Sequence, residues 1–287
     1  RGLGDVYKRQ IQGLNNRIFI LDRHQAKGVF EFTRDGVFVR QIGSRGNGPG
    51  EYIVPGDFSL DMVNGRIYIL DDQKQTISQY NISDGKFQKT IALDKESGIR
   101  SHRIQWADGS LFVDLYCFDE QPATDGLLRR IDLSTAKSDG VYMSSAYNKQ
   151  WHDPERIDSK VFYPGEKNAY RFVKQFMDTV FYIGSQGVMP YMALQSEDLL
   201  RPQDLKVVDM NSRLPLEAQL FQTKKIYGIH DYREHNHVIY FRYMKGGTIV
   251  FVAFDTRTGN TTLFDLMTDD LLFSENAQTL MPQFGCS

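Results

Sequence analysis

Two stretches of this chain are near copies of each other, and the distance between them limits what the chain can fold into. Asn16-Arg17-Ile18-Phe19-Ile20-Leu21-Asp22 returns as Gly65-Arg66-Ile67-Tyr68-Ile69-Leu70-Asp71, and Thr33-Arg34-Asp35-Gly36-Val37-Phe38 returns as Ile82-Ser83-Asp84-Gly85-Lys86-Phe87. Both pairs are 49 positions apart. Short alternating segments divided by turn residues and repeating at that period are the signature of propeller blades, each a four-stranded antiparallel sheet. The fold class expected is therefore all-β: a β-propeller of four-stranded blades, with about five blades visible.

The best-defined blade places strands near residues 56–62, 66–70, 76–81 and 86–93. Asn64-Gly65 and Asp84-Gly85 supply the residues that tolerate positive φ between alternating apolar runs, which is a strong hairpin signal. A third unit opens at Asp108-Gly109-Ser110-Leu111-Phe112-Val113 and continues through Leu127–Asp132. A fourth shows only an inner part, Thr179-Val180-Phe181-Tyr182-Ile183, 70 positions after Leu111. That spacing leaves an insertion of about 25 residues beyond a normal blade. The fifth runs through His237–Tyr243, Thr248–Phe254 and Thr261–Phe264, with one short helical stretch, Pro215–Phe221, ahead of it.

Composition agrees with strands that bury rings: 41% of residues are hydrophobic, with 19 Phe and 15 Tyr. The net charge of −2, without long runs of either sign, argues against a nucleic-acid surface. The two cysteines, Cys117 and Cys286, have no metal-ligand spacing, and no cofactor motif is present. No apolar run reaches the ~20 residues that span a bilayer. Asp5-Val6-Tyr7-Lys8-Arg9-Gln10 reads like the translation of a transposon-end adapter. Residues 1–10 are therefore expected to be non-native, leaving 11–287 as a single propeller domain, truncated at its N-terminus and open to truncation at its C-terminus.

Between the first two blades lies Ile42-Gly43-Ser44-Arg45-Gly46-Asn47-Gly48-Pro49-Gly50-Glu51-Tyr52. This run, followed by an inner strand, an N-G-R-I-Y-I-L-D strand and a D-G-K-F turn, resembles the six-bladed, NHL-like propeller proteins of Gram-negative bacteria. The resemblance covers Asn16 to about Leu93 strongly and Asp178 to Asp270 more loosely. It implies a periplasmic or cell-surface location, with membrane attachment through an N-terminal lipid anchor outside this sequence, and it implies no particular activity.

Read physically, the glycine-rich run is a crossover that needs tight backbone turns. Its N–H groups, with Arg45 alongside, are a candidate anion or ligand contact. It is no phosphate loop, because no Gly-Lys-Ser/Thr follows it. Asp22 and Asp71 each end a strand at the same relative place, where capping the following turn explains them better than calcium, whose D-x-[DN]-x-[DN]-G loop is missing. The aromatic insertion after Tyr142 is the other candidate recognition surface, since loops on a rigid scaffold carry binding residues. The expected ligand contacts are Arg45, Asn47, Glu51, Tyr52, Tyr147, Trp151, His152 and Tyr163.

The main functional expectation is a non-catalytic recognition module for a glycan, peptide or protein. The alternative is a metal-dependent lyase or hydrolase in which His230, His235 and His237 converge on a metal, with His235 and His237 on one strand face. No Gly-x-Ser-x-Gly elbow or paired-carboxylate motif supports a third class.

Overall fold

The computed structural model describes residues 9–14, 16–93, 99–117, 126–143, 160–165, 169–174, 176–201, 204 and 216–264. The chain divides into two compact units, one holding Arg1–Ser159 and the other Lys160–Gly285. Among the described residues, the first unit holds three four-stranded antiparallel sheets and the second holds two.

Blade 1 is β1 (Arg9–Leu14), β2 (Arg17–Asp22), β3 (Gly28–Thr33) and β4 (Phe38–Ile42), hydrogen-bonded in that order. Arg9 and Gln10, within the segment read from sequence as non-native, pair with Asp22 and Leu21 of β2. The glycine-rich crossover follows, with its two short strands β5 (Ser44–Arg45) and β6 (Glu51–Tyr52) paired in parallel. Blade 2 is β7 (Pro55–Asp61), β8 (Arg66–Asp71), β9 (Thr76–Asn81) and β10 (Phe87–Ala92), within one or two residues of the sequence reading. Its first hairpin turns through four residues, 62–65, with Gly65 at φ +62°.

In the third sheet the sequence reading began one strand late. After a small strand β11 (Ile99–Arg100), the inner strand is β12 (Ile104–Ala107), ahead of the Asp108-Gly109 turn. Then come β13 (Ser110–Asp114), the short β14 (Tyr116–Cys117) paired back to β11, β15 (Leu128–Asp132) and β16 (Lys137–Tyr142).

The fourth blade corrects the sequence more deeply. Its sheet is β17 (Phe162–Pro164), β18 (Tyr170–Phe172), β19 (Thr179–Gly184) and β20 (Gly187–Ala193). The Thr179–Ile183 segment taken as inner is thus the third strand, and part of the supposed insertion supplies the first two. A helix α1 (Leu216–Thr223) precedes blade 5, which is β21 (Ile226–His235), β22 (Val238–Lys245), β23 (Thr248–Asp255) and β24 (Thr261–Phe264).

In its second copy, β8, the repeated R-I-[FY]-I-L-D strand is buried on both faces, whereas in β2 Phe19 and Leu21 are buried and Ile18 and Ile20 are half-buried. Successive side chains of a strand point to opposite sides. Along β8, Ile67 and Ile69 join Phe19, Leu21, Phe58 and Tyr80 in one cluster, while Tyr68 and Leu70 join Ile104, Trp106, Leu111 and Val113 in another. Blade 2 is therefore packed between its two neighbours, and each fully buried Ile, Leu or Phe contributes roughly 1.5–3 kcal/mol. The outermost strands lose this pattern: β4 leaves Val37 beside it, Phe38 and Val39 exposed.

The inner strands are also stitched by side chains two residues apart. Gln10 and Gln12 each donate from Nε2 to Phe58 O, at 3.0 and 3.1 Å. One blade on, Asp57 Oδ2 accepts from Ile104 N at 2.8 Å, and Ser59 Oγ accepts from Trp106 N at 2.8 Å and from Gln105 Nε2 at 3.1 Å. Polar side chains thus do between blades what a backbone ladder does within one, and they keep buried N–H groups satisfied.

Candidate functional site

The second strand of each of the first three blades ends in an aspartate: Asp22, Asp71 and Asp114. Asp22 Oδ1 accepts from the N–H groups of His24 and Gln25, and Asp71 Oδ1 accepts from those of Gln73 and Lys74. Both cap the turn that follows, as the sequence suggested. Asp71 also reaches the crossover with Oδ2, which accepts from Ile53 N at 2.6 Å. Asp114 works at longer range, its Oδ1 accepting from His102 N and Arg103 N at 2.8 Å each.

The glycine-rich crossover carries its own anion. The Glu51 carboxylate accepts from Gly48 N at 2.7 Å and lies 3.4 Å from Ser44 Oγ, while Gly46 N donates to Tyr52 O at 3.0 Å. A Cβ at residue 46 would fall 2.2 Å from Glu51 Oε2, so any larger residue there would push the Glu51 carboxylate out of its place in the loop. Lys74, in the turn after Asp71, fastens the loop by donating to Gly46 O at 3.0 Å and Glu51 O at 2.9 Å. Arg45 and Asn47 are exposed. Tyr52 is a core residue: its hydroxyl accepts from Val29 N and Gln41 Nε2 and donates to Ile42 O, and burial pushes the phenol up.

Beside this loop the turns of three blades bring charges together. Arg23, just after the Asp22 cap, donates to Asp72 Oδ2 at 2.7 Å. Asp72, just after the Asp71 cap, lies with Oδ1 3.4 Å from His102 Nδ1 at the entry to blade 3. Its carboxylate rests against Gly56, where a Cβ would stand 2.1 Å from Oδ1. The β7 register shifts between Pro55 and Asp57, and such a bulge re-aims side chains at a strand end.

Asp57, the next residue, is 5% exposed. Burial pushes its carboxyl up to about 7, although Arg103, the Ile104 and Phe58 N–H groups and Arg23 all favour the ionised form. Arg23, Asp57, Asp72, His102 and Arg103 thus form a charged edge in which one carboxyl titrates near neutrality. The sequence reading did not single these residues out as a group.

The second unit holds a different charged cluster. Arg171 of β18 is 4% exposed; its Nε lies 2.7 Å from Glu234 Oε1 and its Nη2 donates to Oε2 at 3.2 Å. The guanidinium carbon sits 3.7 Å from the Tyr191 ring centroid and 5.6 Å from that of Tyr182. Tyr232 and Tyr191 donate their hydroxyls to the same carboxylate at 2.8 and 3.4 Å.

Of the insertion residues proposed as ligand contacts, Tyr147, Trp151 and His152 lie outside the described residues. Tyr163 belongs to β17, not to a loop, and is buried against Tyr232, its hydroxyl donating to Lys160 O at 3.0 Å.

The histidine alternative meets a different geometry. Asn236 and His237, at φ +48° and +67°, form the two-residue turn between β21 and β22, so His235 and His237 do not share a strand face. His230 lies on β21 between two register shifts. Among the described residues, no three His, Cys, Asp or Glu side chains are grouped to hold a metal.

Among solved structures, a protein of Bacteroides fragilis NCTC 9343 assigned as exported aligns over 92% of this chain and 73% of its own, at 19% identity and a TM-score of 0.68. A member of the DUF4221 family from Bacteroides vulgatus aligns over 90% of this chain and 81% of its own, at 10% identity and a TM-score of 0.52. The hydrazine synthase of Kuenenia stuttgartiensis aligns over 93% and 67%, at 9% identity and a TM-score of 0.50. At these identities the likeness speaks for fold alone, and it agrees with the blades described above. No curated protein matches the sequence significantly. The model of one family, a domain of unknown function designated DUF4934, matches residues 5–286, and the chain belongs to that family.

Proposed function

We propose that this chain is a non-catalytic recognition propeller of the bacterial cell envelope, and that it engages a glycan, peptide or protein ligand through the turn edge of blades 1–3. The observation that carries this reading is the convergence of Arg23, Asp72 and His102 from three successive blades. Their side chains are 17%, 14% and 10% exposed, beside the solvent-facing Arg45 and Asn47 of the crossover. Partly exposed groups of both signs, held by turn caps and inter-blade hydrogen bonds, make a rigid surface that can both donate and accept. The envelope location rests on the sequence resemblance to NHL-like Gram-negative propellers, and the exported assignment of the Bacteroides fragilis protein agrees with it.

Screening the purified protein on glycan and peptide arrays tests the binding half of this reading. Arg23→Ala and Asp72→Asn are expected to lower the affinity of any hit by about tenfold or more, as loss of a charged contact does. Arg257→Ala, on a turn where Arg257 pairs with Asp255, is the control. Hits that bind all three variants equally would move the site elsewhere. Recovery of the native protein in the cytosolic fraction of its source cells would overturn the location.

A further inference from the structure

Toward the opposite end of the strands from the turn edge, blade 1 holds a charge cluster that its repeat lacks. Glu31 of β3 lies in register between Phe19 of β2 and Arg40 of β4, on the face turned to blade 2. Its carboxylate is fully buried and accepts from Arg17 Nη1 and from Arg40 Nε, each at 2.6 Å. Both guanidiniums also cross to blade 2. Arg17 Nη1 donates to Ile82 O at 3.2 Å, and Arg40 Nη2 donates to Ser83 O at 3.0 Å. A Cβ on Gly85 would stand 3.0 Å from Arg40 Cδ, so bare backbone seats that side chain. The 49-residue repeat puts Arg66, Tyr80 and Lys89 at the places in blade 2 that Arg17, Glu31 and Arg40 hold in blade 1. Tyr80 brings no carboxylate there and donates to Gly50 O instead. A blade thus packs without a buried carboxylate at this position, and the cluster of blade 1 is an addition to the repeat.

From this arrangement we propose that Arg17 and Arg40 form a binding site for a tetrahedral oxyanion, a phosphate or sulfate group, either free or carried on a sugar. One carboxylate cannot neutralise two guanidiniums, so the cluster keeps an uncompensated positive charge. Its bonds leave Arg17 with Nε and Nη2, and Arg40 with Nη1, without an acceptor among the described residues, and none of these atoms is buried. The two side chains are 39% and 26% exposed, which leaves these donors open to a ligand from solvent. Glu31 and the two carbonyls hold the guanidiniums in place beforehand, which lowers the ordering cost of binding. One guanidinium fork satisfies both oxygens of a carboxylate, whereas a phosphate ester has three free acceptor oxygens and can take donors from both arginines. The site is separate from Arg23, Asp72 and His102 and stands whether or not the turn edge binds a ligand.

Nitrogen-15 labelling of arginine side chains would follow Arg17 and Arg40 by NMR while inorganic phosphate, inorganic sulfate or glucose 6-phosphate is added at constant pH and ionic strength. Saturating shifts are expected at both arginines, with Arg257, paired to Asp255, unmoved. Tighter binding of glucose 6-phosphate than of inorganic phosphate would assign the group to a sugar ester, and equal or weaker binding would assign it to the free ion. Arg17→Gln should weaken binding by about tenfold, the loss of a charged hydrogen bond. Arg17→Lys keeps a cation for Glu31 but lacks the fork, and should weaken binding by a similar factor. Shifts that rise without saturating, or that are as large at Arg257, would overturn the proposal. So would an affinity unchanged in both Arg17 variants, which would leave the cluster as a clasp between blades 1 and 2 and nothing more. If neither variant folds, the titration of the native protein decides the matter.

Discussion

The charged edge of blades 1–3 and the Arg171–Glu234 pair of blades 4 and 5 both join neighbouring sheets through buried charge, yet they are built to opposite ends. Arg171 meets one carboxylate in a two-point contact, two tyrosine rings cover its guanidinium, and two phenols donate to the same carboxylate. At the edge, three carboxylates share two guanidiniums and an imidazole, and one of the three is held back from ionising by burial. A closed ion pair has one state to occupy, whereas an under-neutralised cluster has several. That difference separates a structural rivet from a site that responds to its surroundings.

The largest expected effect comes from opening the rivet. Arg171→Ala leaves Glu234 nearly buried without its counter-charge, and removing one partner of a buried pair costs about 3–5 kcal/mol. A shift in the denaturant midpoint without a change in slope would check this. Glu234→Gln, which keeps an acceptor for Tyr232, should cost less. A loss below about 1 kcal/mol for Arg171→Ala would place the pair with ordinary surface bridges and erase the contrast with the edge.

Next in size is the pH dependence at the edge. Asp57 keeps its proton in the folded chain up to about pH 7, whereas in the unfolded chain it releases it near the ordinary carboxyl value of 3.8. Between those values the folded state binds more protons. The contribution of Asp57 is therefore complete below about pH 4 and is lost as pH rises to about 7, at no more than about 1.4 kcal/mol per pH unit. Melting curves of the native protein and Asp57→Asn across this range should converge at its acid end and diverge toward neutrality. Parallel curves would show that Asp57 ionises normally.

How much of this contrast was legible in the sequence depends on the length of the elements. Blade 2 was readable in full because each of its strands carries six or more residues of pattern and two of its turns contain Gly, whereas the first strands of blades 1 and 5, β1 and β21, were not read as strands. Blade 4 was not readable, because β17 and β18 hold three residues each and Pro164 ends the first, so the stretch reads as loop. The loop reading of Tyr163 failed for that reason. His237 was misread because a two-residue turn of Asn-His has no glycine to mark it.

The edge was illegible for another reason: Arg23, Asp57, Asp72 and His102 come from four separate segments, and only the fold brings them together. The one local clue was Asp71-Asp72, where a single carboxylate already accounted for the turn cap and left the second without a local role. Arg171 and Glu234, 63 positions apart, left no local clue.

A smaller effect is expected where the inner strands are stitched. Ser59→Ala removes the acceptor for both Trp106 N and Gln105 Nε2, and a buried donor left without its partner costs about 1–3 kcal/mol. The same substitution separates the stitching from the charge cluster, because Ser59 lies two residues along β7 from Asp57. If the Asp57 midpoint, followed by carboxyl NMR, stays in place in Ser59→Ala, the charges at the strand end act independently of the packing beneath them. If it falls toward the ordinary carboxyl value, water has entered along the seam, and the two parts of blade 2 are one cooperative piece.

The smallest effect belongs to the glycine-rich crossover, which stands between the two designs. Its Glu51 carboxylate is satisfied by Gly48 N, as Glu234 is by its partners, yet the loop is partly exposed, as the charged edge is. Glu51→Ala should therefore cost only about 0.5–1.5 kcal/mol, the net worth of a typical hydrogen bond, and should act locally by speeding amide exchange at Gly48 and Gly46. Glu51→Gln, with an amide oxygen in place of the carboxylate, should recover most of the protection. Lys74 holds the loop through the carbonyls of Gly46 and Glu51, so it stays anchored in either variant. Exchange that accelerates across β5 and β6 as a whole would instead mean that the carboxylate, and not Lys74, is what fixes the crossover. The loop would then belong with the closed Arg171–Glu234 pair, as a structural element that only resembles an anion site from its sequence.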